Sequence, residues 1–86
     1  MKQKEIDDLS FLLSSTRRYK IVHELRNGIL TPTMLSKKLN FEKSVVSSLL
    51  KELQIRQLIE CLNPTTKKGK LFKITSYGEK IFKIIK

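Results

Sequence analysis

Lysine and hydroxyl side chains, grouped in two short segments, are the residues of this chain best suited to binding chemistry. They are Lys43, Ser44, Ser47, Ser48 and Lys51 in the first segment, and Lys67, Lys68 and Lys70 in the second. A serine hydroxyl can hydrogen-bond a phosphate oxygen or the edge of a base, and a lysine adds positive charge. Closely spaced lysines repel one another unless an anion is near. Both segments therefore favour a polyanionic ligand, although solvated serines and lysines are also common on surfaces without one.

Residues that could carry catalysis or hold a metal are scarce in this sequence. His23 is the single histidine, and no paired carboxylates lie at a spacing that suggests acid–base chemistry. Cys61 is the single cysteine, which excludes a disulfide or a cysteine-based zinc site within these 86 residues. We expect it to be a small buried hydrophobic residue, with an interchain disulfide or redox sensing as alternatives. The sequence therefore predicts no enzyme, no cofactor and no metal site.

The first basic segment is preceded by a short predicted helix that begins at Pro32. Thr31 can cap this helix, and proline at the first helical position loses only an amide that would be unbonded anyway. Apolar residues then repeat at helical spacing, and Asn40 tolerates the left-handed conformation that ends a helix. Thr33 and Lys37 are the polar residues of this helix that we include among the candidate binding residues.

The second predicted helix covers residues 43–53 and has one apolar face. At about 100° per residue, Leu49, Leu50 and Leu53 fall within roughly 60° of Val46. The polar residues lie elsewhere on the helix: Ser44, Ser48 and Lys51 on the opposite side, Ser47 and Val45 on the two flanks, and Lys43 in the first turn. The exposed face is thus small and basic, which would let the helix approach a duplex closely.

A predicted hairpin with a basic loop follows this helix. Residues 58–62 and 71–74 are apolar-rich runs with partial alternation, and residues 63–70 between them have the composition of a turn. The loop holds Lys67, Lys68 and Lys70, and Gly69 permits close backbone approach. Two strands joined by a lysine-rich loop directly after a pair of helices favour a second contact with the same polyanion.

In order and spacing, these elements resemble a known family of regulators. The resemblance rests on Ser15-x-x-Arg18-x-x-Ile21-Val22-x-x-Leu25, Leu35-Ser36-x-x-Leu39, Ser44-x-Val46-Ser47-x-x-Leu50-x-x-Leu53, Leu58-Ile59 and Thr75-x-x-Gly78. The family is the winged-helix transcriptional regulators of the MarR and ArsR superfamily, especially the small archaeal ones. The resemblance implies a fold that is mainly α with a small β-hairpin wing, a winged helix-turn-helix.

The resemblance also implies how DNA would be bound. Helix 43–53 would enter the major groove, and the wing would touch the backbone or the minor groove. The implied contacts fall on Lys43, Ser44, Val45, Ser47, Ser48 and the wing lysines. The wing lacks the Asp-x-Arg pattern of many MarR-type proteins, and the chain lacks the Cys-x-Cys box of the ArsR type. We therefore expect lysines in place of minor-groove reading by arginine, and no thiolate metal sensor.

Composition and charge agree with binding to nucleic acid. The chain has 86 residues, 40% of them hydrophobic, and a formal net charge of +10, which suits one globular domain that binds a polyanion. Residues 61–86 carry seven lysines and one glutamate, so this third of the chain holds much of the charge. No apolar run approaches the roughly 20 residues of a membrane helix, and no signal-peptide pattern is seen, so we expect a cytoplasmic protein. Membrane association through a basic C-terminal helix is the alternative.

The remaining segments are predicted to be scaffold and dimer contacts. A helix from Ser15 or Thr16 to Arg26 would turn Tyr19, Val22 and Leu25 inward, and residues 29–30 would form a short strand beside the wing. Ile6, Leu9 and Leu13 mark an N-terminal helix, and Thr75 would cap a final one. Both are short for the dimer and ligand-pocket helices of a full MarR-type regulator, but we expect residues 6–13 and 81–85 to form a homodimer. The predicted division is one domain of residues 1–86, with an N-terminal helix at 1–14, a core at 15–75 that includes the wing at 58–75, and a C-terminal helix at 75–86.

The function that the sequence favours is that of a transcriptional regulator that binds double-stranded DNA. Two other functions remain open. An abundant, weakly specific chromatin-type protein would also carry this charge, and a winged-helix protein-interaction module would explain an apolar Val45 on the predicted DNA face. The ratio of specific to random duplex affinity separates a selective regulator from a chromatin-type protein. The salt dependence of duplex binding separates both from a protein-interaction module.

Overall fold

Side-chain caps set the starts of three helices in the computed structural model, which describes residues 1–85. Ser15, Thr31 and Thr75 accept hydrogen bonds at 3.2, 3.2 and 2.8 Å from the backbone amides three residues on. Within the described residues the elements are α1 Gln3–Leu13, α2 Thr16–Leu25, α3 Pro32–Leu39, α4 Lys43–Ile55, β1 Ile59–Cys61, β2 Phe72–Ile74 and α5 Ser76–Ile85. The predicted fold class, mainly α with a small hairpin, is confirmed. Residue 86, included in the predicted last helix, lies outside the described residues.

The turn between α3 and α4 forms where the sequence predicted it. Asn40 takes a left-handed conformation, with φ 57°, and ends α3. The Ser36 hydroxyl donates a hydrogen bond of 2.6 Å to the Phe41 carbonyl, which fixes the turn from inside. The helix α4 continues to Ile55, two residues beyond the predicted end at Leu53. This extension places one more polar residue, Gln54, on the helix.

The hairpin is shorter than predicted but has a third neighbour. Its strands β1 and β2 are antiparallel, with Ile59 opposite Ile74 and Cys61 opposite Phe72. Leu30 forms an isolated bridge with Phe72, with N–O distances of 3.1 and 2.9 Å. The short strand predicted at residues 29–30 is therefore a single paired residue. This bridge ties the segment before α3 to the strand that leaves the wing.

The core is built from the helical faces that turn toward this small sheet. The predicted apolar stripe of α4 is buried, and α2 contributes Ile21, Val22 and Leu25. Ile81 and Phe82 of α5 are completely buried, which corrects the prediction that residues 81–85 as a whole form a dimer surface. Of that segment, only Ile84 presents a large exposed apolar side chain. Within residues 1–85, no helix combines the length and apolar character needed to cross a membrane.

The helix α1 buries a polar face and leaves part of its apolar stripe open to solvent. Of the stripe Ile6, Leu9 and Leu13, which we expect to contact a second subunit, Ile6 is 42% exposed and Leu13 is 56% exposed. The buried residues of α1 are Glu5, Asp8 and Leu12. Both carboxylates have partners, because Lys80 lies 2.5 Å from Glu5 and three donors reach Asp8. Paired donors offset the cost of removing a charge from water, so this face can be buried.

Candidate nucleic-acid interface

A groove of about 560 Å³ runs between α4, the loop of the wing and the start of α3. It brings together seven of the residues that the sequence singled out, which are Thr33, Lys43, Ser47, Lys51, Lys67, Lys68 and Lys70. The seven residues come from three separate elements, and none of them contributes a negative charge. We call this surface the basic groove.

The backbone around the groove holds its walls in place. The Leu30–Phe72 bridge fixes the residue before the Thr31 cap of α3 against β2. The mouth of the wing loop is closed by Asn63, whose Oδ1 accepts a 2.7 Å hydrogen bond from the Leu71 amide. Asn63 Nδ2 also donates to the Gly69 carbonyl at 3.3 Å. Gly69 itself has φ 68°, a left-handed turn that glycine adopts without strain.

The positive charge of the groove is not neutralised from within the protein. Within residues 1–85, none of its five lysine ammonium groups has a hydrogen bond or ion pair with another residue. Two acidic side chains of the helices are instead paired elsewhere, Glu52 with Arg18 and Glu79 with Arg26. Such unpaired cations around one concave surface attract an anionic ligand and raise its local concentration.

The outer face of α4 presents a second set of candidate residues beside the groove. Ser44 and Ser48 are exposed there, and Ile55, which lies between them in helical angle, is 80% exposed. Val45 differs from the expectation that it lies open to a ligand, because it is half-buried and packs against the core. Lys37 is exposed on α3 outside the groove. The structure therefore separates the candidates into a basic groove and a hydroxyl-bearing outer face.

Two polar residues of the groove were missed by the sequence interpretation. Gln54 lines the groove one turn beyond Lys51, and Thr31 lines it at the start of α3. Gln54 follows Lys51 by three residues and Ser47 by seven, so helical spacing alone places it on the same side. It was missed because the helix was predicted to end at Leu53. Thr31 was assigned only to capping.

The residues considered for other chemistry lie apart from this groove. His23 is exposed on α2 and stacks on Tyr19, with ring centroids 6.2 Å apart. Cys61 is half-buried at the base of the wing, with its Sγ 3.6 Å from Asn63 Oδ1. Among residues 1–85, no three His, Cys, Asp or Glu side chains are grouped to hold a metal ion.

Solved structures with the same fold include regulators of the MarR type. A mutant of MarR from Escherichia coli, complexed with operator DNA, is 28% identical and has a TM-score of 0.74, with 95% of this chain and 63% of that chain covered. A MarR-family transcription regulator is 26% identical over 83% of this chain and 48% of that chain, also with a TM-score of 0.74. A mutant of ZitR from Lactococcus lactis gives 24% identity and a TM-score of 0.74 over 83% of this chain.

These comparisons establish the winged-helix architecture of the chain. This chain spans about half the length of the ZitR and MarR-family regulator structures, with 49% and 48% of them covered. No protein-family model matches the chain, and no curated protein matches it. Because the fold matches these structures, the hairpin is a wing, and α3 and α4 are the two helices of a helix-turn-helix.

Proposed function

We propose that this chain is a transcriptional regulator that binds double-stranded DNA, with α4 in the major groove and the wing on the backbone or in the minor groove. The observation that carries the proposal is the basic groove, in which five lysines and no carboxylate lie between α4 and the wing. One phosphate backbone separates the major from the minor groove of a duplex. A lysine-lined channel between a helix and a wing fits that strand. A MarR structure that is 28% identical to this chain was solved with operator DNA, which supports double-stranded DNA as the ligand.

In this proposal the two surfaces of α4 have different tasks. Groove residues such as Lys43 and Lys51 neutralise phosphates and give affinity for any sequence. Ser44 and Ser48, one turn apart on the outer face, read base edges, and Val45 contacts a thymine methyl with the part of its surface that the core leaves open. The proposal further takes residues 1–86 as a single domain of the small, archaeal type acting in the cytoplasm.

The direct test is selection of bound duplexes from a random pool. An enriched palindrome would support a selective regulator, and uniform weak binding would instead support a chromatin-type protein. An absence of duplex binding at low salt would overturn the proposal and favour a protein-interaction module. The first contact to examine would then be the exposed Ile55 on α4, which is the recognition helix of the proposal.

The Ser48→Ala substitution is expected to reduce specificity while leaving general affinity intact. Loss of one good base contact costs about 1 to 3 kcal/mol, so affinity for the selected site should fall by roughly that amount. Affinity for random duplexes should stay nearly constant, because no phosphate contact is removed. Fluorescence anisotropy with both kinds of duplex measures the ratio. Ser10→Ala, an exposed helical serine on α1, is the matched control.

A Val45→Ala substitution separates base contact from packing on the same helix. Because Val45 packs partly on the core, we expect a lower Tm. Its proposed contact with a thymine methyl should in addition lower the ratio of selected-site to random affinity. A change in Tm with a constant ratio would withdraw Val45 from base reading.

The exposed apolar residues of the terminal helices should make the protein a homodimer. Ile6, Leu13 and Ile84 are at least 39% exposed, and a partner subunit would cover them. We expect a dimer in sedimentation at micromolar concentration and a selected site with half-sites roughly 10 bp apart. Leu13→Glu should give a monomer, whereas Ile55→Glu, on the recognition helix, should leave the dimer intact. A monomeric wild type, with and without DNA, would contradict this prediction.

A further inference from the structure

Side chains of α1 hold the end of the recognition helix α4 from the side opposite the wing. Asp8 Oδ1 accepts a hydrogen bond of 3.0 Å from Arg56 Nη1, at the residue that caps α4. The ring of Phe11 contacts two guanidinium groups, with Arg56 at 4.3 Å and Arg18 at 3.8 Å from its centroid. Arg18 Nε then donates to Glu52 Oε1 at 3.1 Å. We call these five residues the clamp.

Arg18, on α2, connects α1 to α4 within the clamp. Its Nη1 donates to the Phe11 carbonyl and to the Ser14 hydroxyl, both at 3.1 Å, while its Nε reaches Glu52 on α4. A single planar guanidinium thus joins the end of α1 to the last turns of the recognition helix. Its five donors in a fixed plane favour one relative orientation of the groups that they bind.

Asp8 is the buried end of the clamp. It is 2% exposed, and it accepts hydrogen bonds from Lys4 of α1 at 2.7 Å, from Arg56, and from the Tyr77 hydroxyl of α5 at 2.5 Å. Burial raises the pKa of this carboxyl, but the three donors outweigh it, and its pKa lies below the ordinary value. Asp8 is therefore ionised at neutral pH. Removing it would leave the Arg56 guanidinium without its carboxylate partner.

The clamp and the basic groove lie on opposite flanks of α4. Viewed down the helix at about 100° per residue, Ser47 and Lys51 lie roughly 100° and 140° from Val46, on the side of the basic groove. Glu52 and Arg56 lie roughly 240° and 280° from Val46, on the other flank. The face with Ser44 and Ser48 remains free between them. The contacts of the clamp, on one flank, therefore bear on the direction of that face.

We propose that Asp8, Phe11 and Arg56 are positioning residues that fix the orientation of α4 for base reading, although Asp8 cannot itself reach a duplex. The inference rests on the proposed function of α4. A binding surface must be held to within about 0.5 Å to be selective, which requires support from the residues behind it. Specificity is then sensitive to α1, a helix outside the helix-turn-helix.

The decisive variant is Asp8→Asn, with Asp7→Asn as the matched control. Both substitutions remove one negative charge from neighbouring positions of α1, but Asp7 is exposed and hydrogen-bonds only Gln3 among the described residues. For Asp8→Asn we expect the ratio of selected-site to random affinity to fall by about tenfold, the size of one lost base contact. Random affinity and the salt dependence of binding should not change. Asp7→Asn should leave all three quantities unchanged.

One result with each of two variants would overturn the inference. A lower Tm with an unchanged affinity ratio at a temperature where the variant is folded would show a merely structural role. If Asp8→Asn does not fold, Arg56→Met takes its place, because Arg56 is 39% exposed and should tolerate the change. If Arg56→Met lowers selected and random affinity equally and reduces the salt slope by about 0.9, Arg56 is a phosphate contact and the inference is wrong.

Hydrogen exchange without DNA distinguishes failure of this inference from failure of the proposed function. Loss of the clamp should speed amide exchange in the last turn of α4, residues 52–55, by about tenfold, and should leave α3 unchanged. If the wild type selects no duplex, the proposed function fails, and exchange alone decides whether α1 positions α4. Unchanged exchange in residues 52–55 would overturn the positioning role.

Discussion

Replacing Lys67, Lys68 and Lys70 together with alanine is expected to weaken binding to every duplex by a similar factor. Each lost phosphate contact lowers the slope of log affinity against log salt by about 0.9, so the slope should fall by up to about 2.7. At 0.15 M salt this corresponds to a loss of roughly a hundredfold in affinity. The ratio of specific to random affinity should stay near its wild-type value, because in the proposed binding mode these three lysines meet phosphates and no base. Anisotropy titrations at several salt concentrations measure both quantities.

A control triple removes the same charge from elsewhere on the surface. Lys20, Lys73 and Lys83 are exposed, line no part of the basic groove, and have no ion pair within residues 1–85. Their replacement should change the salt slope much less than replacement of the wing lysines. Equal slopes for the two triple variants would mean that only net charge matters, and the groove would lose its special role.

Gly78→Ala is expected to destabilise the fold by about 3 kcal/mol or more. Helix propensity alone predicts the opposite, because alanine favours a helix more than glycine does. A Cβ atom at this position would lie 2.1 Å from the Leu58 carbonyl oxygen and 2.9 Å from Cγ1 of Ile74. The first obstacle is backbone, which cannot rotate away as a side chain can. The helix α5 would have to separate from the junction between α4 and β1. Urea unfolding measures the change.

A second glycine provides the comparison for that experiment. Gly69 has φ 68° but open space around the position of a Cβ, so Gly69→Ala should cost only about 1 to 2 kcal/mol of backbone strain. If Gly78→Ala proves as stable as the wild type, α5 does not approach Leu58 as closely as described. A loss of about 3 kcal/mol would be a large part of the roughly 5 to 15 kcal/mol that holds a domain folded.

Features with local physical causes were predictable from the sequence. The cap and proline that start α3, and the asparagine that ends it, act within a few residues, so the element was placed correctly. The buried stripe of α4 also followed from helical spacing. The winged-helix fold could be predicted because its parts are contiguous in the chain, from α3 through the hairpin.

Features that depend on distant partners were not predictable in the same way. No local pattern indicates that Asp8 is buried, because its partners Arg56 and Tyr77 are 48 and 69 residues away. The burial of Ile81 and Phe82 has the same origin, since α5 packs against elements that are distant in sequence, such as α1. Each lysine of the candidate site could be identified from the sequence. Their common location around one groove could not, because it depends on the wing lying beside α4.

The closure of the wing loop by Asn63 has an evolutionary consequence. Because its side chain bonds to Leu71 and Gly69, the loop is tied at its mouth, and Lys67 and Lys68 beyond it are exposed with no hydrogen bond within residues 1–85. Lysines can therefore be gained or lost at the tip with little effect on the buried residues. A lineage could adjust how strongly such a protein holds DNA to the salt and temperature of its habitat, one codon at a time, without risking the fold.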